Sequence, residues 1–306
     1  MNKFLSERLP PFSFCRTFDE KVQHAEIKLS QNVAWLVANR LPYNYSFTDD
    51  LQKCITEYTN GCIIDGCNES TAKFLSDNGF EKIKLGKEAV LELNGNHFKK
   101  KSIEELVRRG LRNRNFEEIP FSDKTAEKLL SFKKECSHGK KPQLKYLFTD
   151  ELQEFNRLFV LSDENGNWLG AIMVSDKDKD FAQTELILRK KSAPVGIMEA
   201  IIYSVYNILI KEGYEYWSLG AVPFISYDQS FFSKSGFINS SGRKMRFAYN
   251  YKGLYDFKNK FNPIWLDYYL CVKPKLKLSL IFSIFIKTNL MNLILYNLHL
   301  SFLIKQ

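Results

Sequence analysis

Residues 184–223, TELILRKKSAPVGIMEAIIYSVYNILIKEGYEYWSLGAVP, decide the fold of this chain. A strand pattern from Glu185 to Arg189 is followed by a short loop and an apolar helix pattern from Ile197 to Lys211. Gly213 ends that helix, and a second strand pattern runs from Tyr216 to Leu219. This order predicts a β-loop-α-β unit.

The loop of this unit is basic and lies at the start of the helix. Arg189, Lys190 and Lys191 precede the helix, and Gly196 stands directly before its first residue. The free backbone N–H groups and the dipole of a helix N-terminus favour an anion. The loop is therefore a candidate phosphate site, with Lys190 and Gly196 as candidate substrate-binding residues.

Several segments resemble the C-terminal synthase domain of the phosphatidylglycerol lysyltransferases, also called aminoacyl-phosphatidylglycerol synthases. They are ELILR at 185–189, PVGIME at 194–199, SLGAVP at 218–223 and the long run YKGLYDFKNKFNPIW at 251–265. Upstream, GFEKIKLGKEAV at 79–90 is similar to the Gly-rich LGxEA element of that family. The resemblance covers residues 20–273.

The resemblance implies an α+β fold made of two tandem GNAT-like acyltransferase domains, each a mixed central sheet flanked by helices. The expected parts are an N-terminal segment (1–19), a first GNAT-like domain (20–135), a second, catalytic one (136–273) and a C-terminal hydrophobic helical tail (274–306). FLSDNGF at 74–80 recurs as FFSKSGF at 231–237. Both copies predict a helix that is closed by glycine and enters a strand, as a duplication would produce.

The implied activity is transfer of an amino acid, with lysine expected, from aminoacyl-tRNA to phosphatidylglycerol or a related lipid hydroxyl. The expected place is the cytoplasmic face of the cell membrane. Aminoacyl-tRNA and an anionic phospholipid membrane are the expected partners, and no cofactor is expected. Many family members also carry an N-terminal membrane flippase domain, and a stand-alone form without it is expected here.

Glu185 is the first candidate for the catalytic carboxylate, as a base or as a ligand of the donor's α-ammonium group. The family motif places an Asp and an Arg three positions apart at this strand, whereas Glu185 and Arg189 are four apart. A slip of one residue turns a strand side chain to the opposite face. The alternative for Glu185 is a rim carboxylate that pairs with Arg189 or Lys190. Arg189 and Asp228 complete the candidate catalytic set, Asp228 by its position alone.

Lys258 and Lys260 lie between two phenylalanines, on one face if their run is extended. Two like charges held together beside buried aromatics favour an anionic ligand. The alternative is that both side chains reach solvent at the surface. Lys234 joins these candidate substrate-binding residues by position.

A basic cluster precedes and occupies a helix predicted from Ile103 to Asn113. Its candidate tRNA- or lipid-binding residues are Lys99, Lys100, Arg108, Arg109 and Arg112. Basic side chains in this density bind phosphates. The alternative is a solvated helix face that pairs with Glu104 and Glu105.

Composition agrees with a basic two-domain enzyme. The chain has 44 Lys and Arg against 35 Asp and Glu, a net charge of +9, which suits tRNA or an anionic lipid surface. Lysine enrichment through genome composition is the alternative source of this charge. The six cysteines form no Cys-x-x-Cys pair and the four histidines have no zinc-ligand spacing, so neither a metal nor a disulfide is predicted.

Two other function classes stay open. One is a GNAT-like acyltransferase with another donor or a non-lipid acceptor. Coenzyme A is disfavoured as that donor, because the stretch after Arg189 offers one glycine and a proline where a pyrophosphate loop needs free N–H groups. The other class is an inactive tRNA- or lipid-binding module.

The tail from 278 to 304 carries Lys287 as its only formal charge. About 20 apolar residues can cross a bilayer, but three asparagines interrupt this stretch. An interfacial helix, a spanning helix and a helix packed on the protein are the three alternatives.

Overall fold

The computed structural model describes residues 8–303 except 138, 148, 150, 226–233 and 245–248. The side chains of 234, 237, 239, 241 and 299–303 are outside the description as well. The predicted catalytic residue Asp228 therefore lies outside the described residues.

Strands and helices alternate irregularly along the chain, as expected for an α+β protein. The strands are β1 (Phe14–Thr17), β2 (Glu26–Lys28), β3 (Ala34–Leu36), β4 (Asn39–Pro42), β5 (Cys62–Cys67), β6 (Glu81–Glu92), β7 (Asn115–Ile119), β8 (Arg157–Ser162), β9 (Trp168–Asp178), β10 (Phe181–Arg189), β11 (Tyr216–Pro223) and β12 (Ile264–Val272). The helices are α1 (Phe47–Glu57), α2 (Glu69–Asp77), α3 (Lys101–Leu111), α4 (Asp123–Glu135), α5 (Ile197–Lys211), α6 (Lys234–Lys244), α7 (Tyr251–Asn259), α8 (Leu278–Lys287) and α9 (Leu290–Leu303).

Ten of these strands form one continuous mixed sheet in the order β2-β3-β5-β12-β6-β11-β10-β9-β8-β7. β1 and β4 form a separate parallel pair. The long strand β6 lies between β12 and β11 and is antiparallel to both. The sheet confirms the predicted α+β class.

The sheet interleaves segments from both predicted halves of the chain. β12, near the C-terminus, lies between β5 and β6, and β7 pairs with β8 at the far edge. The division into two tandem GNAT-like domains at 135/136 stays a prediction.

Helices cover the two faces of the sheet, because strand side chains alternate between them. Phe159 and Leu161 belong to the core under α3 and α5, whereas Leu158 and Val160 belong to the core under α4. A third core lies under α1 and α2, and a fourth under α8. The central strands are thus buried from both sides.

Most predicted elements are present, and three local predictions are wrong. The run with Lys258 is helix α7 and not an extended segment. Gly79 ends α2 with φ +85, but Gly236 lies inside α6, so the second copy of the repeated motif is not a helix end. The high density of charges in the stretch 131–142 predicts a loop between the two halves, but this stretch is helical as far as Glu135.

The tail forms two helices that meet at a bend. No single helix of the described chain is long and apolar enough to cross a membrane. Taken together, Leu278–Lys287 and Leu290–Leu298 meet that criterion by length and composition, but they are bent by 76°.

Candidate active site at the divergence of two strands

The two parallel strands β10 and β11 separate near the middle of the sheet. They pair only from Phe181 opposite Tyr216 to Gln183 opposite Ser218. Directly beyond that point β11 bulges against β6, and Gly220 adopts φ +90. Glycine tolerates this left-handed conformation without steric cost. A gap therefore opens between the strands beside Gly220.

Lys258 of α7 extends into this gap. Its Nζ donates to the carbonyl oxygen of Ala221 at 3.1 Å, and a Cβ on Gly220 would lie 3.3 Å from that Nζ. Lys258 is only 3% exposed. Burial lowers the pKa of Lys258 to about 7, and the nearby charge of Glu88 opposes this shift. A large fraction of this amine is therefore neutral at neutral pH.

Glu88 of β6 connects the gap to the N-terminal segment. Its carboxylate forms an ion pair with Arg8, and the two side chains are 1% and 3% exposed. Ser218 Oγ donates to Glu88 Oε1 at 2.5 Å, and the N–H of Gly220 donates to Ser218 Oγ at 3.0 Å. Because Arg8 already balances the charge of Glu88, Lys258 has no carboxylate of its own among the residues that the structure describes.

Two buried side-chain oxygens of β10, next to the gap, have no hydrogen-bond partner within the described part of the chain. They are Gln183 Oε1 and Thr184 Oγ1, on side chains that are 2% and 6% exposed. The carbonyl of Thr184 and Nε2 of Gln183 lie 3.7 and 3.9 Å from the Cβ position of Gly220. Buried polar atoms without partners are rare and here could receive N–H or O–H donors of a ligand. The divergence cluster consists of Arg8, Glu88, Gln183, Thr184, Ser218, Gly220 and Lys258.

A second buried carboxyl group lies on β5. Asp65 is 6% exposed, and burial raises its pKa to about 7 although the N–H of Gly66 donates to its Oδ1 at 2.8 Å. Burial also raises the pKa of Tyr268 on β12, and the charges of Asp65 and Glu88 add to that shift. The centre of the sheet thus holds several groups whose ionisation is shifted toward the neutral form.

Glu185, the predicted catalytic carboxylate, lies near the cluster but has its own buried partners. Lys177 Nζ donates to Glu185 Oε1 at 2.8 Å, and Ser175 Oγ donates to the same oxygen. The Lys177 and Glu185 side chains are 2% and 4% exposed. Glu185 therefore pairs with Lys177 and not with Arg189 or Lys190. Its catalytic role stays a prediction.

Side chains of the predicted phosphate loop also form a hydrogen bond and an ion pair with neighbouring groups. Arg189 Nη2 donates to the carbonyl of Ala193 at 2.6 Å, and Lys190 pairs with Glu135 at 2.7 Å. Gly196 caps α5 with φ +98. A Cβ there would lie 2.3 Å from the carbonyl oxygen of Leu106 in α3, so Gly196 permits close packing of the two helices.

The first turn of α5 already contains a carboxylate. Glu199 is buried and pairs with Lys260 at 2.9 Å. A carboxylate in this position complements the helix dipole and competes with a bound anion. Lys260 is 41% exposed, whereas Lys258 is buried, so the two lysines do not share one anion site. Anion binding at the helix start stays a prediction, and the side chain of Lys234 is outside the description.

The basic cluster is exposed on and beside α3. Its members Lys99, Lys100, Arg108, Arg109 and Arg112 are all exposed. Arg108 forms two hydrogen bonds with Glu105, at 2.8 and 2.9 Å, which matches the alternative of a paired helix face for this residue. Close packing of Gly110 on Gly196 brings the end of α3 to the start of α5. The backbone of Arg109, next to Gly110, therefore lies near the start of α5, and Arg112 follows at the end of α3.

The sequence-based candidates missed most of the divergence cluster. Glu88 stands inside the quoted LGxEA element, and Ser218 opens the quoted SLGAVP turn. A glutamate among apolar strand residues was the available signal for Glu88. Arg8 gave no such signal, because it lies 80 residues from its partner.

Three potential metal ligands also come together at α1. His24 Nε2 lies 3.2 Å from Asp50 Oδ1, and Cys54 Sγ lies 3.9 Å from both His24 Nδ1 and Asp50 Oδ2. The hydrogen bond to Asp50 raises the pKa of His24, while burial raises that of Cys54. The polar atoms of these three side chains therefore already contact one another.

Comparison with known proteins places this fold in a family. The sequence profile described as "Phosphatidylglycerol lysyltransferase, C-terminal" matches residues 42–272. The phosphatidylglycerol lysyltransferase of Bacillus subtilis (strain 168) is 25% identical over 227 residues, which are 70% of this chain. The match covers 26% of that relative, so the chain corresponds to about a quarter of its length.

Two solved structures share the fold over most of both chains. The structure of L-PGS from Bacillus licheniformis is 22% identical, covers 87% of this chain and 84% of its own, and gives a TM-score of 0.65. The C-terminal domain of a lysylphosphatidylglycerol synthetase from Agrobacterium fabrum, described as putative, is 20% identical with a TM-score of 0.61. It covers 82% of this chain and 80% of its own. The chain belongs to the family of phosphatidylglycerol lysyltransferase C-terminal domains.

Proposed function

We propose that this protein transfers an amino acid, lysine first among the candidates, from aminoacyl-tRNA to the free hydroxyl of phosphatidylglycerol. The reaction takes place at the cytoplasmic face of the membrane. The family match over residues 42–272 supports the reaction class. The observation that carries the proposal is the buried Lys258 amine at the point where β10 and β11 separate.

The reaction needs a proton acceptor rather than an activating cofactor. The lipid hydroxyl oxygen attacks the ester carbonyl of aminoacyl-tRNA, a new ester bond forms, and the bond to the tRNA ribose oxygen breaks. The proton of the lipid hydroxyl ends on that ribose oxygen. A group with a pKa near the working pH serves best as the intermediate carrier. Lys258, with a pKa of about 7, fits this requirement.

The rest of the cluster supports binding of the aminoacyl group. The α-ammonium group of the donor needs hydrogen-bond acceptors, and Gln183 Oε1 and Thr184 Oγ1 are buried acceptors without partners in the described structure. Glu88 adds negative charge that Arg8 balances. Ser218 and Gly220 hold the bulge that keeps the strands apart.

The exposed basic cluster supports tRNA binding outside this buried site. Arg109 and Arg112 lie at the end of α3, which packs on the start of α5 through Gly110 and Gly196. Phosphate contacts by such side chains supply affinity that depends on salt. In this proposal the tRNA backbone lies across α3 and the start of α5, and its aminoacyl end enters the gap.

A transfer assay tests the proposal directly. Purified protein is mixed with radiolabelled lysyl-tRNA and phosphatidylglycerol vesicles, and the lipids are separated and identified by mass spectrometry. We expect a lysylated lipid with charged tRNA and none with free lysine. Turnover with an acyl-coenzyme A, and none with any aminoacyl-tRNA, would replace this function with the acyltransferase alternative.

A further inference from the structure

The C-terminal helix α8 has one face packed on the protein and one face left open. Leu280 is 1% exposed, and it packs with Ile281 and Ile284 on a core that includes Val33 and Trp35. On the opposite side Leu278, Phe282 and Ile286 are 77%, 56% and 53% exposed. These three residues are spaced four apart, so they form one stripe about 12 Å long. The name "outer stripe" refers to Leu278, Phe282 and Ile286.

Both ends of α8 are fixed to the rest of the protein. Before the helix, the N–H of Leu276 donates to Glu81 Oε2 at 2.7 Å. After it, the N–H of Lys145 donates to the carbonyl of Thr288 at 3.1 Å, and Asn289 Nδ2 donates to the carbonyl of Gln143 at 2.8 Å. Because both ends of α8 are fixed, the outer stripe faces a set direction. Its exposure therefore does not result from a loosely attached helix.

Exposed apolar side chains concentrate in this part of the molecule. Of the eleven large apolar side chains that are exposed among the described residues, five lie between 278 and 298. The other two of the five are Leu295 and Leu298 of α9, at 56% and 39%. Single exposed apolar residues are ordinary, but a cluster of this kind marks a binding surface.

The charge around the stripe selects the partner. After Asp267 the chain contains five lysines and no acidic residue, so this segment supplies five of the nine net positive charges. Lys275 and Lys277 precede the stripe and Lys287 follows it, and all three are exposed. Apolar side chains bordered by lysines match a surface with an apolar interior and negatively charged head groups.

We propose that the outer stripe docks on the surface of an anionic phospholipid membrane, with α8 lying in the plane of the head groups. Leu278, Phe282 and Ile286 enter the acyl boundary, while Lys275, Lys277 and Lys287 contact lipid phosphates. The proposal concerns attachment of the protein and not the transfer reaction. It identifies the lipid-facing side of a domain for which the proposed function requires a lipid acceptor.

Vesicle binding without tRNA tests the stripe independently of catalysis. The full chain is sedimented with vesicles of mixed phosphatidylglycerol and phosphatidylcholine, and with vesicles of phosphatidylcholine alone. We expect binding to the anionic vesicles that weakens with salt. The variant Leu278→Gln/Phe282→Gln/Ile286→Gln should lower the partition coefficient at least about tenfold, because glutamine keeps the helix but removes the apolar contact.

Two matched variants separate the two contributions. Phe18→Gln/Leu130→Gln/Ile210→Gln removes three exposed apolar side chains elsewhere and should leave vesicle binding unchanged. Lys275→Gln/Lys277→Gln/Lys287→Gln should lower binding to anionic vesicles by about tenfold or more at low salt and should flatten the salt dependence. Equal vesicle binding by the wild type and the outer-stripe variant overturns the proposal.

Self-association is the competing occupant of the stripe. If a second copy of the chain covers it, the wild type sediments as a dimer without lipid, the outer-stripe variant sediments as a monomer, and neither binds vesicles. That outcome also overturns the proposal. Transfer to a short-chain, water-soluble phosphatidylglycerol keeps the two proposals apart. If the outer-stripe variant loses vesicle binding but still transfers lysine to the soluble lipid, the docking proposal is supported. If the wild type does not transfer lysine to the soluble lipid, the proposed function is wrong, whatever its vesicle binding.

Discussion

Lys177 and Glu185 form an ion pair, 2.8 Å from Nζ to Oε1, with both side chains almost completely buried. Lys177 Nζ also donates to the carbonyl oxygens of Pro11 and Phe14, each at 3.4 Å. The ion pair therefore connects β9 and β10 to the N-terminal segment. Removing one partner of a buried pair leaves an uncompensated charge. The residue that sequence ranks first for catalysis thus has a defined structural role.

Glu185→Ala should lower the free energy of unfolding by about 3–5 kcal/mol, because Lys177 would remain buried without a counter-charge. The double variant Lys177→Met/Glu185→Leu should recover most of that loss. Urea denaturation measures both. If the double variant is stable and still transfers lysine at the wild-type rate, Glu185 is not catalytic.

Lys258→Met should lower the transfer rate by about a hundredfold or more, since it removes the proposed proton carrier. In the wild type the rate should rise as the pH increases through about 7, where Lys258 loses its proton. The control is Lys260→Met, which changes an exposed lysine two residues away. Wild-type turnover by the Lys258 variant would contradict the assignment.

Lys258→Met should also stabilise the protein, and more so at low pH. The pKa of Lys258 is about 7 in the folded protein against an ordinary 10.5. Unfolding takes up a proton between these values, so the cost of burying Lys258 is complete below pH 7 and fades as the pH rises toward 10.5. The gain in the variant's free energy of unfolding should therefore be larger at pH 6 than at pH 9. An equal gain at both pH values would show that Lys258 keeps its ordinary pKa.

Gly196→Ala should destabilise the protein by at least about 2–3 kcal/mol, because the added Cβ meets the backbone of α3 and because the left-handed conformation, free for glycine, is strained for alanine. Gly213→Ala is the matched control, with φ +86 and no heavy atom within 4 Å of the new Cβ. That control should cost about 1 kcal/mol. If urea denaturation gives the same loss in free energy of unfolding for both variants, α3 and α5 separate to admit the methyl group.

Arg109→Glu/Arg112→Glu should weaken tRNA binding. It should also reduce the slope of log affinity against log salt concentration by an amount equivalent to about one to two phosphate contacts. Arg108 is left unchanged because it already pairs with Glu105. Lys21→Glu/Lys73→Glu carries the same change of charge at other exposed positions. If both variants show the same dependence of tRNA affinity on salt as the wild type, the basic residues of α3 form a solvated helix face and do not contact tRNA.

Local patterns predicted the elements well where periodicity and end signals agreed. Helix α5 was predicted with its observed bounds, because its apolar residues are continuous and Gly196 and Gly213 limit it. The run around Lys258 is ambiguous, because Phe-Lys-x-Lys-Phe also alternates like a strand. Phe257 and Phe261 are four residues apart, a spacing that suits a helical turn equally well.

The candidate site was harder to predict, because its geometry comes from distant segments. Glu88 meets Arg8 across 80 residues and Ser218 across 130 residues. The gap itself depends on where β10 and β11 cease to pair, which neither strand encodes alone. Sequence identified the family and several strands that carry the site, but not which side chains face one another.

The position of β12 between β5 and β6 also affects how the chain is made. During synthesis β5 and β6 leave the ribosome about 170–200 residues before β12 follows, as counted from their positions in the sequence. Until then both strands expose unpaired edges, which are templates for aggregation. A nascent chain that stalls before residue 264 therefore lacks a complete sheet, and we expect it to depend on chaperones until its last strand arrives.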